Sequence, residues 1–160
     1  MPCPYAMLIL VVLYVRDGRS LESMESLLLQ LEFILSAIPG NVKCALRLLK
    51  EGVPVDATNS CGQTALIIAC KNGHEAYSLL LLEHGASANH SLPDGWTPLM
   101  FAIDGGHDVV ARTLIEANAN LEAQMDSGHT ALMLSCQNGH EQCVLELLKA
   151  GAVVDAADNL

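Results

Sequence analysis

The sequence repeats itself with a fixed period, and this period constrains the fold more than any other feature. The segment GWTPLMFAIDGGH begins at Gly95, and the related segments GQTALIIACKNGH and GHTALMLSCQNGH begin at Gly62 and Gly128, so each start lies 33 residues after the previous one. A period of this length is typical of repeat proteins, in which each unit packs mainly against its neighbours. Most of the Gly95 segment therefore belongs to a repeated architecture rather than to an active site.

Each unit carries the signals of two short helices. A threonine precedes the first apolar run and can cap the helix with its side-chain oxygen, and Pro98 stands at a first helical position, where its missing N–H costs nothing. Glycine or asparagine, which tolerate left-handed backbone, follows each helix. Polar segments between the helix pairs predict extended loops with a turn at the tip. The capping residues are Thr64, Thr97 and Thr130; the first helices stop at Gly73, Gly106 and Gly139, and the second helices stop at Gly52, Gly85, Asn118 and Gly151.

The repeated pattern resembles a known family. A 33-residue period with G-x-T-A/P-L, N/G-G-H and L-L-x-x-G-A is similar to the ankyrin repeat, and the resemblance covers residues 29–160. It implies an all-α, ankyrin-repeat-like helical solenoid with extended hairpin loops. The histidine usual after T-P-L is replaced by Ile67, Met100 and Met133, which leaves open whether a polar bridge joins neighbouring units. The first unit lacks G-x-T, as expected of a terminal capping unit.

The segment before the first turn predicts an amphipathic helix that caps the array at its N-terminus. Apolar residues recur there at spacings of three and four, and the helix is expected to end at Pro39-Gly40. Pairing as a coiled coil is the alternative, but the stripe is short and other apolar residues widen it, which favours packing against the repeat stack. The stripe comprises Leu21, Met24, Leu28, Leu31, Leu35 and Ile38, and it is widened by Leu27, Leu29, Phe33 and Ile34.

The chain thus divides into five segments. Residues 1–20 form a poorly defined apolar segment, residues 21–61 hold the amphipathic helix and a degenerate capping repeat, and residues 62–94, 95–127 and 128–160 are three repeats.

The N-terminal segment contains ten consecutive apolar residues, AMLILVVLYV, at positions 6–15. A helix needs roughly 20 such residues to span a bilayer, so no membrane span is expected. The run suits the apolar part of a secretory signal in length but has no Lys or Arg before it. A poorly placed or partly buried segment is the favoured interpretation.

The net charge and the cysteine spacing indicate which ligands and which cellular setting to expect. The net charge of −10 would repel phosphate backbones and anionic membrane surfaces, so nucleic acid is not expected to bind. The six cysteines show no zinc-site spacing. We expect a reduced intracellular setting, most simply the cytoplasm, with no metal and no cofactor.

The repeat architecture explains the side chains that could otherwise act in catalysis or bind a metal. His74, His107 and His140 each follow the inter-helix glycine of a separate unit, too far apart to share one metal ion. Cys70 and Cys136 share one repeat position and are expected to pack as hydrophobes. The remaining histidines lack nucleophile and carboxylate partners at recognisable spacing, so no enzyme is expected. These histidines are His84, His90 and His129.

Trp96 stands out because its repeat position holds Gln63 and His129 in the neighbouring units. The fold therefore does not require an aromatic residue there. In ankyrin-like arrays this position belongs to a concave groove lined by loops and first helices, where a tryptophan is often an interface anchor. The alternative is that Trp96 merely packs on the next loop.

The resemblance predicts a protein–protein interaction module whose groove binds another protein. The groove carries three carboxylates and one lysine, so a partner segment with basic residues and an apolar anchor fits best. The groove residues expected from the register are Ser60, Cys61, Gln63, Lys71, Asn72, Pro93, Asp94, Trp96, Phe101, Asp104, Gly105, Asp126, Ser127, His129, Gln137 and Asn138.

Two other functions stay open. The chain stops one residue before a fifth G-x-T would begin, so it could be the regulatory or targeting fragment of a longer multidomain protein. It could also be a self-associating structural array that pairs through its uncapped C-terminal end, although a monomer is the simpler expectation.

Overall fold

The structure, a computed structural model, describes residues 21–154, with side chains described from Met24 onward. The N-terminal segment at residues 1–20 and the last residues of the fourth unit, 155–160, lie outside the described residues. None of the described helices is long and apolar enough to cross a membrane. The described helices are α1 (Leu21–Ser36), α2 (Val42–Lys50), α3 (Ala65–Lys71), α4 (Glu75–Glu83), α5 (Pro98–Asp104), α6 (Asp108–Glu116), α7 (Ala131–Gln137) and α8 (Glu141–Lys149).

The helices pair in chain order and stack in two layers. The first helices of the pairs, α1, α3, α5 and α7, each contact the next in line, and the second helices, α2, α4, α6 and α8, do the same. Within residues 21–154 no strand forms, and the loops contain only an isolated bridge between Thr58 and Thr64. The predicted all-α solenoid with hairpin loops is confirmed.

The predicted capping residues begin and end the helices. The side chains of Thr64, Thr97 and Thr130 each accept a hydrogen bond from the backbone N–H three residues later. The second helices end at residues with positive φ, including Asn118 at φ 59°. A non-glycine residue rarely adopts this conformation unless it is asparagine or aspartate, so the residue type at position 118 predicts the helix end correctly.

Histidines in the tight turns bridge neighbouring units. Nε2 of His107 donates to the carbonyl oxygen of Lys71 at 3.2 Å, and Nε2 of His74 donates to that of Ile38 at 2.7 Å. The imidazole of His107 fills the space beside Gly73, where an added Cβ would lie 2.5 Å from Nδ1. These bonds join neighbouring units. A polar bridge is therefore present although the histidine usual after T-P-L is missing.

A second set of polar bridges follows the ends of the second helices. In three successive units one side-chain oxygen accepts a hydrogen bond from a backbone N–H of the next unit, 31 residues later. The pairs are Asp56 Oδ1 with Ser87 N at 3.0 Å, Asn89 Oδ1 with Asn120 N at 2.6 Å, and Glu122 Oε1 with Val153 N at 2.8 Å.

The core consists mainly of alanine and leucine side chains contributed by every helix pair. Its largest fully buried side chain is Tyr77, whose hydroxyl lies 2.7 Å from Oγ of Ser36 and donates to the carbonyl oxygen of Phe33. The tyrosine thus joins α4 to the first helix without leaving its polar atom unpaired.

The expectation that Cys70 and Cys136 both pack as hydrophobes is wrong for Cys136. Cys70 and the in-register Ile103 are fully buried, whereas Cys136 is exposed. Cys70 and Ile103 are each covered by the helix pair that follows. No described helix pair follows α7 and α8, so Cys136 has no such cover among the described residues.

The prediction for α1 needs two corrections. The helix ends at Ser36, two residues before Ile38, because a residue that precedes proline disfavours the helical conformation. Half of the predicted stripe does not pack on the stack: Leu31, Leu35 and Ile38 are exposed, while Phe33 is fully buried. Of the residues expected only to widen the apolar face, Phe33 packs in the core and Leu29 against it, Ile34 is buried and Leu27 is exposed.

Candidate functional site

The hairpin loops of the three repeats are closed by the same hydrogen bonds. In each loop one N–H donates to the carbonyl oxygen four residues later, and the glycine before the helix donates back to close a turn. The first bonds join Asn59 to Gln63, Leu92 to Trp96 and Met125 to His129. The second join Gly62 to Asn59, Gly95 to Leu92 and Gly128 to Met125. All three loops therefore present their side chains in equivalent positions.

The predicted tip residues occupy the two central positions of these turns. They are Ser60 and Cys61, Pro93 and Asp94, and Asp126 and Ser127, and all six are exposed. The second and third tips contact each other directly, because the N–H of Asp126 donates to the carbonyl oxygen of Asp94 at 3.1 Å. A Cβ on Gly95 would lie 2.6 Å from the carbonyl oxygen of Gln124, so the glycine permits this close approach.

The position after the turn glycine holds Gln63, Trp96 and His129, all half-buried. The indole of Trp96 stacks on the ring of Phe101 from the following helix, with ring centroids 4.8 Å apart and planes inclined by 34°. Both rings also pack against the buried core. Neither ring is fully covered, so the pair presents an aromatic surface between loop and helix.

The remaining predicted residues lie at the C-terminal ends of the first helices and are exposed. They are Lys71 and Asn72, Asp104 and Gly105, and Gln137 and Asn138. The amide of Asn138 donates to Oδ1 of Asp104 at 3.2 Å and so links two units across this edge.

The carboxylates of the predicted groove form no ion pair with any described residue. The ion pairs in residues 24–154 join Arg47 to Glu32 and Glu51, and Lys149 to Glu146, none of which is a predicted groove residue. Asp94 accepts a hydrogen bond from the backbone N–H of Trp96 at 3.3 Å. Its charge, with those of Asp104 and Asp126, remains available to a ligand.

Sequence reasoning missed the apolar continuation of this surface on α1. Leu35 precedes half-buried Ile68 by 33 residues, and Ile68 precedes Phe101 by the same interval. Ile38 likewise shares its register position with Lys71 and Asp104. The register that places Gly40 opposite Gly73 contains this signal, but helical periodicity alone assigns the apolar stripe to the core.

Comparison with known families decides the identity of the fold. The family model described as ankyrin repeats (3 copies) matches residues 33–125 and, in a second overlapping match, residues 78–158. The chain belongs to the ankyrin-repeat family. A comparison with curated proteins gave no match.

Membership accounts for the repeated helix pairs and gives the general function. Ankyrin repeats are protein–protein interaction modules, and their helices and loops vary in sequence while the fold persists. Which residues of this ankyrin array contact a partner is a separate question.

Burial suppresses the chemistry of two cysteines in the ankyrin core. Burial raises the pKa of Cys70 to about 12. Burial, together with a hydrogen bond to Asp108, raises the pKa of Cys143 to about 12 as well. Both thiols are therefore protonated at neutral pH and unreactive. In the part of the ankyrin array that the structure describes, no three His, Cys, Asp or Glu side chains come together as a metal site would require.

Proposed function

We propose that this ankyrin array binds a segment of another protein along the surface formed by its loop tips and first helices. The observation that supports the proposal most is the stack of Trp96 on Phe101. A half-buried aromatic pair offers a large contact area with little side-chain entropy left to lose, which is the chemistry of an interface anchor.

The charge of the surface indicates the chemistry of the partner. Asp94 and Asp104 flank the aromatic pair in sequence, are exposed, and have no ion-pair partner among residues 24–154. Lysine or arginine side chains of a bound segment would pair with them, while an apolar side chain contacts the rings. We propose a partner segment with basic residues beside an apolar anchor, and neither nucleic acid nor a membrane surface as the ligand.

The cellular location and the absence of catalysis are further parts of the proposal. We propose that the protein acts inside the cell, in the cytoplasm, without a cofactor or catalytic activity. The proposed function rests on an exposed surface and not on a reactive group. The thiols of Cys70 and Cys143 are buried and held in the unreactive form.

A second candidate function rests on the last helix pair. Leu145, Leu148 and Cys136 are exposed there, and Cys70, which shares its register position with Cys136, is fully buried. This apolar face could receive further helices, either in a longer multidomain protein or from another copy in a self-associating array. Light scattering across a hundredfold range of concentration distinguishes a second copy, which raises the mass, from a monomeric binder.

A display library of random peptides tests the main proposal, because it samples many candidate partner segments at once. The immobilised full chain should select peptides that combine lysine or arginine with one apolar residue. A selected peptide is then titrated against the parent chain and against Trp96→Ala. Val109→Ala is a matched control, since Val109 is an exposed apolar residue on α6 and not among the predicted groove residues.

The proposal predicts weaker binding for Trp96→Ala alone. Peptides of acidic or random composition, or equal affinity for both variants and the parent, would contradict it.

A further inference from the structure

Four large apolar side chains form an exposed stripe along α1 and the turn that follows it. Leu27, Leu31, Leu35 and Ile38 recur at spacings of four, four and three, and they are 43%, 39%, 59% and 55% exposed. At 100° per residue these spacings place Leu27, Leu31 and Leu35 on one face of α1, and Ile38 lies in the turn that follows the helix. The stripe lies beside the face that carries buried Phe33.

An apolar stripe is unusual at the end of a solenoid. Terminal units of repeat arrays normally present a polar outer face to water, because no neighbour covers them. No described residue of this chain covers the stripe. Any further burial of these four side chains would have to come from outside residues 24–154.

The chain itself carries a segment of matching chemistry close by. Residues 6–15 are ten consecutive apolar residues, and only the five residues RDGRS separate them from α1. This linker is polar and includes Gly18, so it can reverse the chain direction. Neither the segment nor the stripe contains a charged residue that burial would leave unpaired.

The dimensions also match. Within α1 the stripe runs from Leu27 to Leu35, about 12 Å at the rise of a helix, and Ile38 lies just beyond it in the turn. Ten residues cover about 15 Å as a helix and about 33 Å when extended. A five-residue linker reaches about 16 Å, enough to bring the segment alongside the stripe.

A second copy of the protein fits the stripe less well. Four half-exposed side chains offer on the order of a few hundred Å², whereas a stable interface buries about 800 Å² on each partner. A tethered segment needs less area, because a short linker gives it an effective concentration in the millimolar range.

We propose that residues 6–15 pack on Leu27, Leu31, Leu35 and Ile38 and so cap the N-terminal end of the array. The interaction is intramolecular. Leu35 and Ile38 share register positions with Phe101 and Asp104, so the segment would cover the α1 end of that surface and leave Trp96 and Phe101 exposed to a partner. This packing gives the apolar segment a role in the fold that requires neither a membrane nor a secretory pathway.

Hydrogen exchange of the full chain, followed by mass spectrometry, tests the proposal. In the parent, peptides covering residues 6–15 should exchange at least about tenfold more slowly than an unstructured chain. Leu35→Asp should abolish this protection, because it buries a charge against the segment. The control Leu79→Asp changes an equally large side chain that is 48% exposed on α4 and should leave the protection intact.

A second variant distinguishes loss of the proposed contact from damage to the repeats. Val11→Asp places the charge on the segment, outside the helix pairs, and should also abolish protection. Far-ultraviolet circular dichroism reports whether each variant keeps its helices.

Three results would overturn the proposal. The first is unprotected exchange of residues 6–15 in the parent. The second is protection that survives both Leu35→Asp and Val11→Asp in folded protein. The third is protection that disappears on dilution while the mass halves, since a second copy would then be the occupant.

Discussion

The ring of Trp96 rests on the ring of Phe101, with centroids 4.8 Å apart, although one residue belongs to a loop and the other to a helix. The repeat requires neither residue. The neighbouring units hold Gln63 and His129 at the first position, and Ile68 and Leu134 at the second. The pair is therefore a feature of this chain rather than of the ankyrin scaffold.

The tight-turn glycines should differ in cost according to what lies beside them. Gly73 and Gly85 both have positive φ, at 71° and 83°, so alanine is strained by about 1–2 kcal/mol at either site. At Gly73 the new methyl group would also displace His107 and its bond to Lys71, whereas nothing lies within 4 Å at Gly85. We expect Gly73→Ala to lower the free energy of unfolding by about 1 kcal/mol more than Gly85→Ala.

Urea unfolding of the two variants measures this difference. Equal midpoints would mean that the histidine bridges contribute nothing to the stacking of the units.

The same turns show why much of the fold could be predicted from sequence. Helix starts and stops depend on local chemistry, such as the oxygen of Thr64 or the left-handed backbone at Asn118, and local chemistry recurs in every repeat. The period then assigns each signal to a unit. Element order and the all-α class follow from these local signals alone.

The predictions that failed concern side chains whose burial depends on a neighbouring helix. Leu31 and Phe33 are both large and apolar, and periodicity alone does not state which face of α1 meets α3. Cys136 and Cys70 occupy one register position, but only Cys70 has a following helix pair to cover it. For the candidate site, the register predicts the exposed positions, whereas the contact between Trp96 and Phe101 required the structure.

Four of the described cysteines should fall into two classes of reactivity. Cys61 and Cys136 are exposed, while Cys70 and Cys143 are buried with pKa values raised to about 12. Iodoacetamide at pH 8 should modify the exposed pair in the native protein and the buried pair only after unfolding. Peptide mass mapping of alkylation over time checks this order, and fast native labelling of Cys70 would contradict the described packing.

Alkaline pH should weaken the fold through the same thiols. The pKa of Cys70 rises from its ordinary 9.0 to about 12 in the folded state, so the thiol favours folding below pH 9. Between pH 9 and pH 12 the unfolded chain loses this proton more readily, and the stability contribution is lost as pH rises. Unfolding measured at pH 8 and pH 10.5 should show a smaller decrease for Cys70→Val than for the parent. An equal decrease would assign the effect to other groups.

Metal removal should leave the fold unchanged. Within residues 24–154 no group of ligands converges as a structural zinc site requires. Thermal unfolding with and without a chelator should give melting temperatures within a few degrees, the shift expected for about 1 kcal/mol. A decrease of about ten degrees or more would reveal a metal that stabilises the array.

The affinity of a selected basic peptide for Trp96→Ala, measured beside the stability of the same variant, tests the proposed groove most directly. Trp96 is half-buried at a position that accepts Gln63 and His129, so its loss should change the free energy of unfolding by no more than about 1 kcal/mol. Loss of an interface anchor should weaken binding by about 2 kcal/mol, roughly thirtyfold, while Val109→Ala binds like the parent. A variant that keeps its affinity but loses stability would show that Trp96 serves the packing of the array and not the recognition of a partner.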